Sequence, residues 1–306
     1  MKKLNFSLCI PIYNAGSKWR DWIIAYKSQT LQADQVIVIN SSSTDQTAVL
    51  AEQAGFFVHT IAKCDFNHGR TRNQAVRFCE KKTEIVVFLT QDAILASPTA
   101  LEELLKPFHD EQVVAVCGRQ LPHLDANILA THARLFNYPA ESKIKSKADI
   151  PSLGIKTAFM SNSFSAYRKS VFDELGGFPE NTILAEDMHL AARMILAGYK
   201  VIYSAEAKVY HSHNYSLIEE FKRYFDIGVF QQKEHWIQEQ FGKVSGEGKK
   251  FVISELRFLL KNNLLWIPKS LLSTLFKYLG FKLGRIWNKL PISVVKILSM
   301  HKGYWK

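Results

Sequence analysis

Residues 84–92 read Glu84-Ile85-Val86-Val87-Phe88-Leu89-Thr90-Gln91-Asp92, a short apolar run rich in β-branched residues that stops abruptly on polar side chains. The pattern is that of a strand at 84–89. Working outward, comparable runs lie at 6–10, 35–40, 56–61 and 113–118. Between them the apolar residues take helical spacing, at about 18–28, 44–54, 71–80 and 99–108. The last follows Ser97-Pro98, a cap residue and then a first-turn proline. Strand and helix in strict alternation imply an α/β domain built on a mostly parallel, Rossmann-like sheet with helices on its faces.

In such sheets ligands bind beyond the carboxyl ends of the strands. Here those ends read Pro11-Ile12-Tyr13-Asn14, then Asn40-Ser41-Ser42-Ser43-Thr44-Asp45, then 64–73 (CDFNHGRTRN), then Thr90-Gln91-Asp92. Tight turns alone do not require so many donors and carboxylates on one edge, so the edge marks a site. Residues 121–165 are less regular. A short helix is expected at 167–175, stopped by Gly176-Gly177-Phe178-Pro179. Leu184-Ala185-Glu186-Asp187 opens another helix, running to about 197. Strands at 201–204 and 207–210 then lead into His211-Ser212-His213, and 216–238 has a helical, aromatic-rich pattern.

The formal net charge is +11, and its placement is uneven. Residues 241–306 carry 13 Lys and Arg, Lys243 and Lys306 among them, against Glu247 and Glu255, which is the whole excess; residues 1–240 carry 26 of each sign. The expected organisation is a neutral domain at 1–240 followed by a basic amphipathic helical region at 241–306. Such a tail favours an anionic partner. Trp266, Phe276, Tyr278, Phe281 and Trp287 beside lysines fit a helix lying on a membrane surface, the alternative being an amphipathic helix packed on the domain or a partner, whereas no uncharged stretch is long enough to span a membrane. Nucleic acid is not expected, because no reader motif accompanies the charge. The start, MKKLNFSLCIPIYN, is basic, but its apolar run is short and contains Pro11, so no export signal is expected. Cys9, Cys64, Cys79 and Cys117 match no zinc spacing and are expected to be reduced core thiols.

Four groups of residues can carry chemistry. Asp92 stands one turn beyond an apolar strand, where a carboxylate can hold a divalent cation such as Mg²⁺ or Mn²⁺ against phosphate oxygens; the alternative is a turn or cap residue. Glu186 and Asp187 open a helix, where the dipole favours acids anyway, yet either can serve as a general base. His211 and His213 project to one side of a strand end and suit a metal. Arg70 and Arg72 follow Gly69 near a helix start, a good place for an anion.

These pieces occur in one order: PIYN, SSSTDQT, GRTRN, TQDA, GGF, AED and HSH. The order resembles family 2 glycosyltransferases of the glycosyltransferase-A fold, over roughly residues 5–235. Residues 65–73 (DFNHGRTRN), the form TQDA and the stretch Asp226-Ile227-Gly228-Val229-Phe230 are similar to bacterial rhamnosyltransferases in particular.

The resemblance implies an inverting transfer of a sugar, L-rhamnose from dTDP-rhamnose, from a nucleotide donor to a saccharide acceptor; a tail docked on a membrane would make that acceptor a lipid-linked saccharide in surface polysaccharide synthesis. It places Pro11, Tyr13, Asn40 and Ser41 at the nucleoside and Arg72 near the donor's base or diphosphate, with Arg70 and Gln91 among the donor-binding residues. It makes Asp92 and His211 metal ligands with His213 in reserve, Asp187 the base supported by Glu186, and Asn162 and Ser163 part of the acceptor pocket. The enzyme would lie at the inner face of the cytoplasmic membrane. Two departures stand out: Thr90 occupies the place of the family's first metal-motif acid, and Asn40-Ser41-Ser42-Ser43 lacks the acid expected to hold uracil, which suits a thymidine nucleotide. Another nucleotide sugar, or a non-catalytic binding protein of the same pathway, are the competing readings.

Overall fold

The computed structural model describes residues 4–242 and 246–305; Lys243 and Lys306 of the basic tail lie outside them. Nine strands form one sheet: β1 (Phe6–Ile12), β2 (Gln35–Asn40), β3 (Phe57–Thr60), β4 (Ile85–Leu89), β5 (Ile94–Leu95), β6 (Val113–Leu121), β7 (Lys143–Lys145), β8 (Phe164–Arg168) and β9 (Lys200–Tyr210). The order is β3-β2-β1-β4-β8-β6-β9-β5, with β7 also on β9. β1 to β4, β6 and β9 run one way, and β5, β7 and β8 run against them. The mostly parallel sheet expected from the alternating pattern is therefore present, with β8 inserted antiparallel between β4 and β6.

Helices α1 (Lys18–Lys27), α2 (Thr47–Gln53), α3 (His68–Arg77) and α4 (Ala100–Leu105) supply the early connections. The side chains of the central strands alternate between two cores. Phe6, Leu8, Ile10, Ile85 and Val87 pack with Trp19, Trp22 and Tyr26 of α1 on one face. Cys9, Val86 and Phe88 pack with Tyr167, Phe172 and Phe178 on the other. Both faces are covered, which explains why all five residues of β4 are apolar and buried.

The irregular region contains α5 (Ile128–Asn137), α6 (Ile150–Leu153) and the start of β8. The helix expected over 167–175 begins later: Tyr167 and Arg168 end β8, paired with β4 and β6, and α7 (Lys169–Glu174) follows. Burial between two strands overrides the local helical pattern. α8 (Glu186–Leu196) starts where the acids stand. The two strands expected at 201–204 and 207–210 are one strand, β9, bulged against β6 between Gly118 and Arg119. At Gly118 a Cβ would fall 2.3 Å from the Phe164 ring and 2.6 Å from the Ala207 carbonyl oxygen, so the bulge needs glycine.

The aromatic-rich stretch divides at Glu234 into α9 (Leu217–Lys233) and α10 (His235–Phe241). The basic region folds as α11 (Glu247–Asn262), α12 (Ile267–Gly284) and α13 (Ile292–Leu298). α12 lies against α9 at backbone contact: a Cβ at Gly228 would stand 2.4 Å from the Phe281 carbonyl oxygen, and one at Gly284 would stand 2.0 Å from that of Phe225. Val295 and Trp305 are buried in the same core as Phe225 and Phe230. No helix among the described residues is long and apolar enough to cross a membrane. One cysteine expectation is corrected. Cys9 and Cys117 are buried and Cys79 half-buried, but Cys64 is exposed, in a turn over Lys63–Asp65 with no apolar cover.

Candidate active site

Asp92 and the histidines, far apart in sequence, meet because of one short ladder. β5 pairs antiparallel with β9, Ile94 opposite Tyr210 and Leu95 opposite Val209. Continuing that register backward brings Asp92, two residues before β5, beside the residues that follow β9. Asp92 Oδ2 lies 3.4 Å from His211 Nε2 and 3.7 Å from His213 Nε2. One ligand atom from each of the three falls within 4.8 Å of the others, a donor set that can hold a divalent ion.

The surroundings fit that use. His211 Nδ1 donates to Gln120 Oε1 at 2.9 Å, which turns Nε2 toward Asp92. Gln120 is itself held by Arg134 and by Ser161, whose hydroxyl oxygen accepts from Gln120 Nε2 at 2.8 Å. His123 Nε2 reaches the Asp92 carbonyl oxygen at 3.0 Å. Burial disfavours ionisation of Asp92, but the hydrogen bond and charge of His211, with Thr90 and His213, outweigh it and hold the carboxyl well below the usual range. His213 stacks on Tyr215, ring centroids 5.0 Å apart.

The second centre is the start of α8. Ala185, in a left-handed conformation at φ 57°, turns the chain so that Glu186 and Asp187 enter the helix together. Glu186 is buried and ion-paired with Arg72, Nη1 to Oε1 3.0 Å. Asn162 bridges the two acids: its side-chain amide donates to Glu186 Oε1 at 2.9 Å, and its backbone N–H donates to Asp187 Oδ2 at 2.9 Å. Ser165 and Tyr167 hydroxyls donate to Asn162 Oδ1, each at 2.9 Å, and fix it. Burial raises the pKa of Glu186, but the charges of Arg72 and His68 and the Asn162 hydrogen bond bring it below its ordinary value. Asp187 goes the other way: burial and then the neighbouring Glu186 charge push its carboxyl up to about 7.

Both centres open on one cleft of about 560 Å³, lined by Asp92, Asp187, Asn162, Ser163, His211 and His213 among others. Arg72 also lines it. Arg70 does not: it pairs with Glu180 at 3.5 Å and faces a neighbouring hollow of about 720 Å³. Pro11, Tyr13, Asn40 and Ser41 stand along the β1–β2 edge, outside the lining of the cleft. Gln91 joins that edge to the metal-ligand candidates by two bonds to the Tyr13 backbone, accepting its N–H at 2.7 Å and donating to its carbonyl at 3.0 Å. Asn40 Oδ1 accepts the Ser43 N–H at 3.0 Å and shapes the following loop.

A sequence-family model for glycosyl transferase family 2 matches residues 7–176, more than half of the chain. The chain belongs to glycosyl transferase family 2. Within that family it is 57% identical over 302 residues to the O-antigen chain rhamnosyltransferase WbaN of Salmonella anatum, covering 98% of this chain and 96% of the other. It is 56% identical over 306 residues to the O-antigen chain rhamnosyltransferase RfbN of Salmonella typhimurium, covering 99% and 96%. Its fold is similar to that of the mannosyltransferase PcManGT from Pyrobaculum calidifontis, solved with GDP-Man and Mn²⁺, at a TM-score of 0.66 and 17% identity over 94% of this chain and 89% of that one. It is similar also to S. aureus TarS 1-349, at 0.52 and 14%, covering 92% of both. The glycosyltransferase-A fold expected from the motif order is the fold found.

Some residues of this family 2 site carry no sequence signal that the motif order exposes. Gln120 and His123 lie in or just beyond β6, and each acts by touching a metal-ligand candidate. His301 and Met300 also line the cleft, from the end of the basic tail. Asp226 accepts the Met300 and His301 backbone N–H groups, both at 3.0 Å, and so fixes this loop on α9. The His301 ring meets His68 edge to face at 4.9 Å, and burial lowers its pKa to about 3.

Proposed function

We propose that this family 2 glycosyltransferase is an inverting rhamnosyltransferase that takes L-rhamnose from dTDP-rhamnose to a lipid-linked saccharide acceptor in surface polysaccharide synthesis. One observation carries the transfer chemistry: Asp187, with a carboxyl raised into the range of a general base, faces the same cleft as Asp92 and His211. The sugar and the acceptor class rest on the likeness to O-antigen chain rhamnosyltransferases. The Ser41-Ser42-Ser43 loop, free of acids, suits a thymidine nucleotide.

In the proposed reaction Asp187 takes the proton of the acceptor hydroxyl. That oxygen attacks the anomeric carbon of the donor from the face opposite the diphosphate. The carbon–oxygen bond to the diphosphate breaks, its electron pair leaves with the nucleotide, and configuration inverts. Glu186 stays ionised against Arg72 and keeps Asp187 basic, while Asn162 aims its carboxylate. Pro11, Tyr13, Asn40 and Ser41 hold the nucleoside; Arg72 and Gln91 stand near the diphosphate, and Arg70 belongs to the adjoining hollow. Asp92, His211 and His213 would hold Mg²⁺ or Mn²⁺, which when bound offsets charge on the departing diphosphate.

Residues 1–240 form the catalytic domain in this reading and 241–306 its basic helical cover, which rests on the inner face of the cytoplasmic membrane. Leu264, Leu265, Leu271, Leu272, Leu275 and Leu279 are exposed beside Lys261 and Lys269, as an interfacial surface requires. Each basic residue near anionic lipid contributes roughly 1 kcal/mol. Transfer is tested by supplying dTDP-rhamnose and other nucleotide sugars with Mn²⁺ or Mg²⁺. Release of dTDP from dTDP-rhamnose alone supports the reading; binding without release from any donor would favour a non-catalytic protein, for which Thr90 is the argument.

A further inference from the structure

Beyond the metal-ligand candidates, on the side away from the nucleoside edge, lies a narrow pocket of about 150 Å³. It shares Arg134, Asn137, His213, Tyr215, Arg223 and Ile227 with the catalytic cleft. Lys269 and Lys277 of α12 close its far end. Its one carboxylate, Glu220, is paired with Lys277 at 3.3 Å. Among the described residues Arg134, Arg223 and Lys269 have no ion-pair partner. Arg134 reaches Gln120 with Nη1, but its buried Nε has no partner. Arg223 and Lys269 lie over the rings of Tyr215 and Trp266, at 5.7 and 4.5 Å.

Three unpaired cations around one small polar space repel one another unless an anion completes them. The volume suits a phosphate or diphosphate. The pocket adjoins the metal-ligand candidates through His213, but its other walls are α5 on β6 and α12 on α9, whereas the nucleoside edge is β1–β2 with β4 and β8 between β1 and β6. The outer face of α12 presents Leu271, Leu272, Leu275 and Leu279 to solvent.

We propose that this pocket binds the phosphate-class anion that joins the acceptor saccharide to its lipid, with Arg134, Arg223 and Lys269 as its ligands. The assignment of the anion to an acceptor rests on the transferase reading above. The pocket then works as a measuring point: it fixes the linker between the membrane-facing helix and the cleft, so that the acceptor hydroxyl arrives at Asp187.

Inorganic diphosphate is the probe, titrated calorimetrically into the full chain with EDTA present, with and without saturating dTDP. The expected result is binding that persists beside dTDP and weakens at least tenfold in the Arg223→Gln/Lys269→Gln variant; both side chains reach the surface, so the fold is retained. Loss of diphosphate binding on adding dTDP would assign the cations to the donor and overturn the proposal. So would unchanged affinity in the variant, or displacement of diphosphate by phosphatidylglycerol vesicles, which would assign the pocket to lipid headgroups. Sugar transfer by the wild-type chain is scored separately. Diphosphate binding without any transfer sinks the transferase reading and the acceptor assignment; transfer with unaltered diphosphate binding in the variant sinks the pocket alone.

Discussion

Arg72 Nη1 lies 3.0 Å from Glu186 Oε1, with the two side chains 5% and 6% exposed. This buried pair separates the behaviour of two adjacent carboxylates. Glu186 is held ionised, and its charge, added to burial, keeps the proton on Asp187 longer. Neighbouring groups whose environments drive their pKa values apart mark an assignment of acid–base roles.

Asp187→Asn keeps the shape and the hydrogen bond from Asn162 but removes the base. Transfer should fall by about three orders of magnitude, within the range general-base catalysis and its coupled effects supply. Nucleotide binding, read by calorimetry, should stay within about twofold. An active Asp187→Asn enzyme would remove Asp187 from the mechanism.

The pH dependence follows from the sign of the shift. A carboxyl raised to about 7 is protonated below that pH and cannot accept the acceptor's proton. At saturating metal, kcat/KM, which reports the free enzyme, should therefore rise with pH at unit slope below about 7 and level off above it. A rate already level at about pH 5 would contradict a raised Asp187.

Arg72→Gln leaves Glu186 as a buried charge without its cation. Removing one partner of a buried pair costs about 3–5 kcal/mol, so unfolding in urea should begin at markedly lower concentration. The Arg72→Gln/Glu186→Gln double variant should recover much of that loss, because no charge is left stranded. Strict additivity of the two single changes would show that the pair is not coupled.

Gln120→Leu removes the acceptor that sets the His211 tautomer. Mn²⁺ affinity should drop about 10- to 100-fold although no direct ligand is changed. His211→Ala should weaken it further, and His213→Ala less. Equal Mn²⁺ affinities in Gln120→Leu and wild type, measured by titration, would mean that the imidazole is positioned by something else.

Deleting 251–306 is not a clean test of membrane docking, because Val295, Trp305 and the Met300–His301 loop belong to the core and the cleft. The surface change Leu265→Glu/Leu272→Glu is better: the two residues are 88% and 48% exposed. It should lower sedimentation with phosphatidylglycerol liposomes several-fold while thermal unfolding stays unchanged. Undiminished sedimentation would count against these leucines as the docking face.

Much was legible in the chain because it is local chemistry. The apolar run before Asp92, the helix opened by Glu186-Asp187 and the polar loops after β1 and β2 all have short-range signatures. Tyr167 and Arg168 did not, since a strand inserted between β4 and β6 is stabilised by partners remote in sequence. Arg70 and Arg72 look equivalent two residues apart on one helix, yet only the packing of α8 gives Arg72 a buried acid, while Arg70 meets Glu180.

The sequence by itself determined the alternation of strands and helices and the crowding of all excess charge beyond residue 240, and it singled out Asp92, Asp187 and His211 as candidates. Tertiary structure decided which of these residues meet. The β5–β9 register sets His211 against Asp92, Asn162 joins Glu186 to Asp187, and Asp226 anchors the end of the tail so that His301 lines the cleft. The physical reason is that register and burial are set by pairings across 24 to 119 residues, as from Asn162 to Glu186, from Asp226 to His301 and from Asp92 to His211. Such pairings leave no periodic mark on either partner's own stretch of chain.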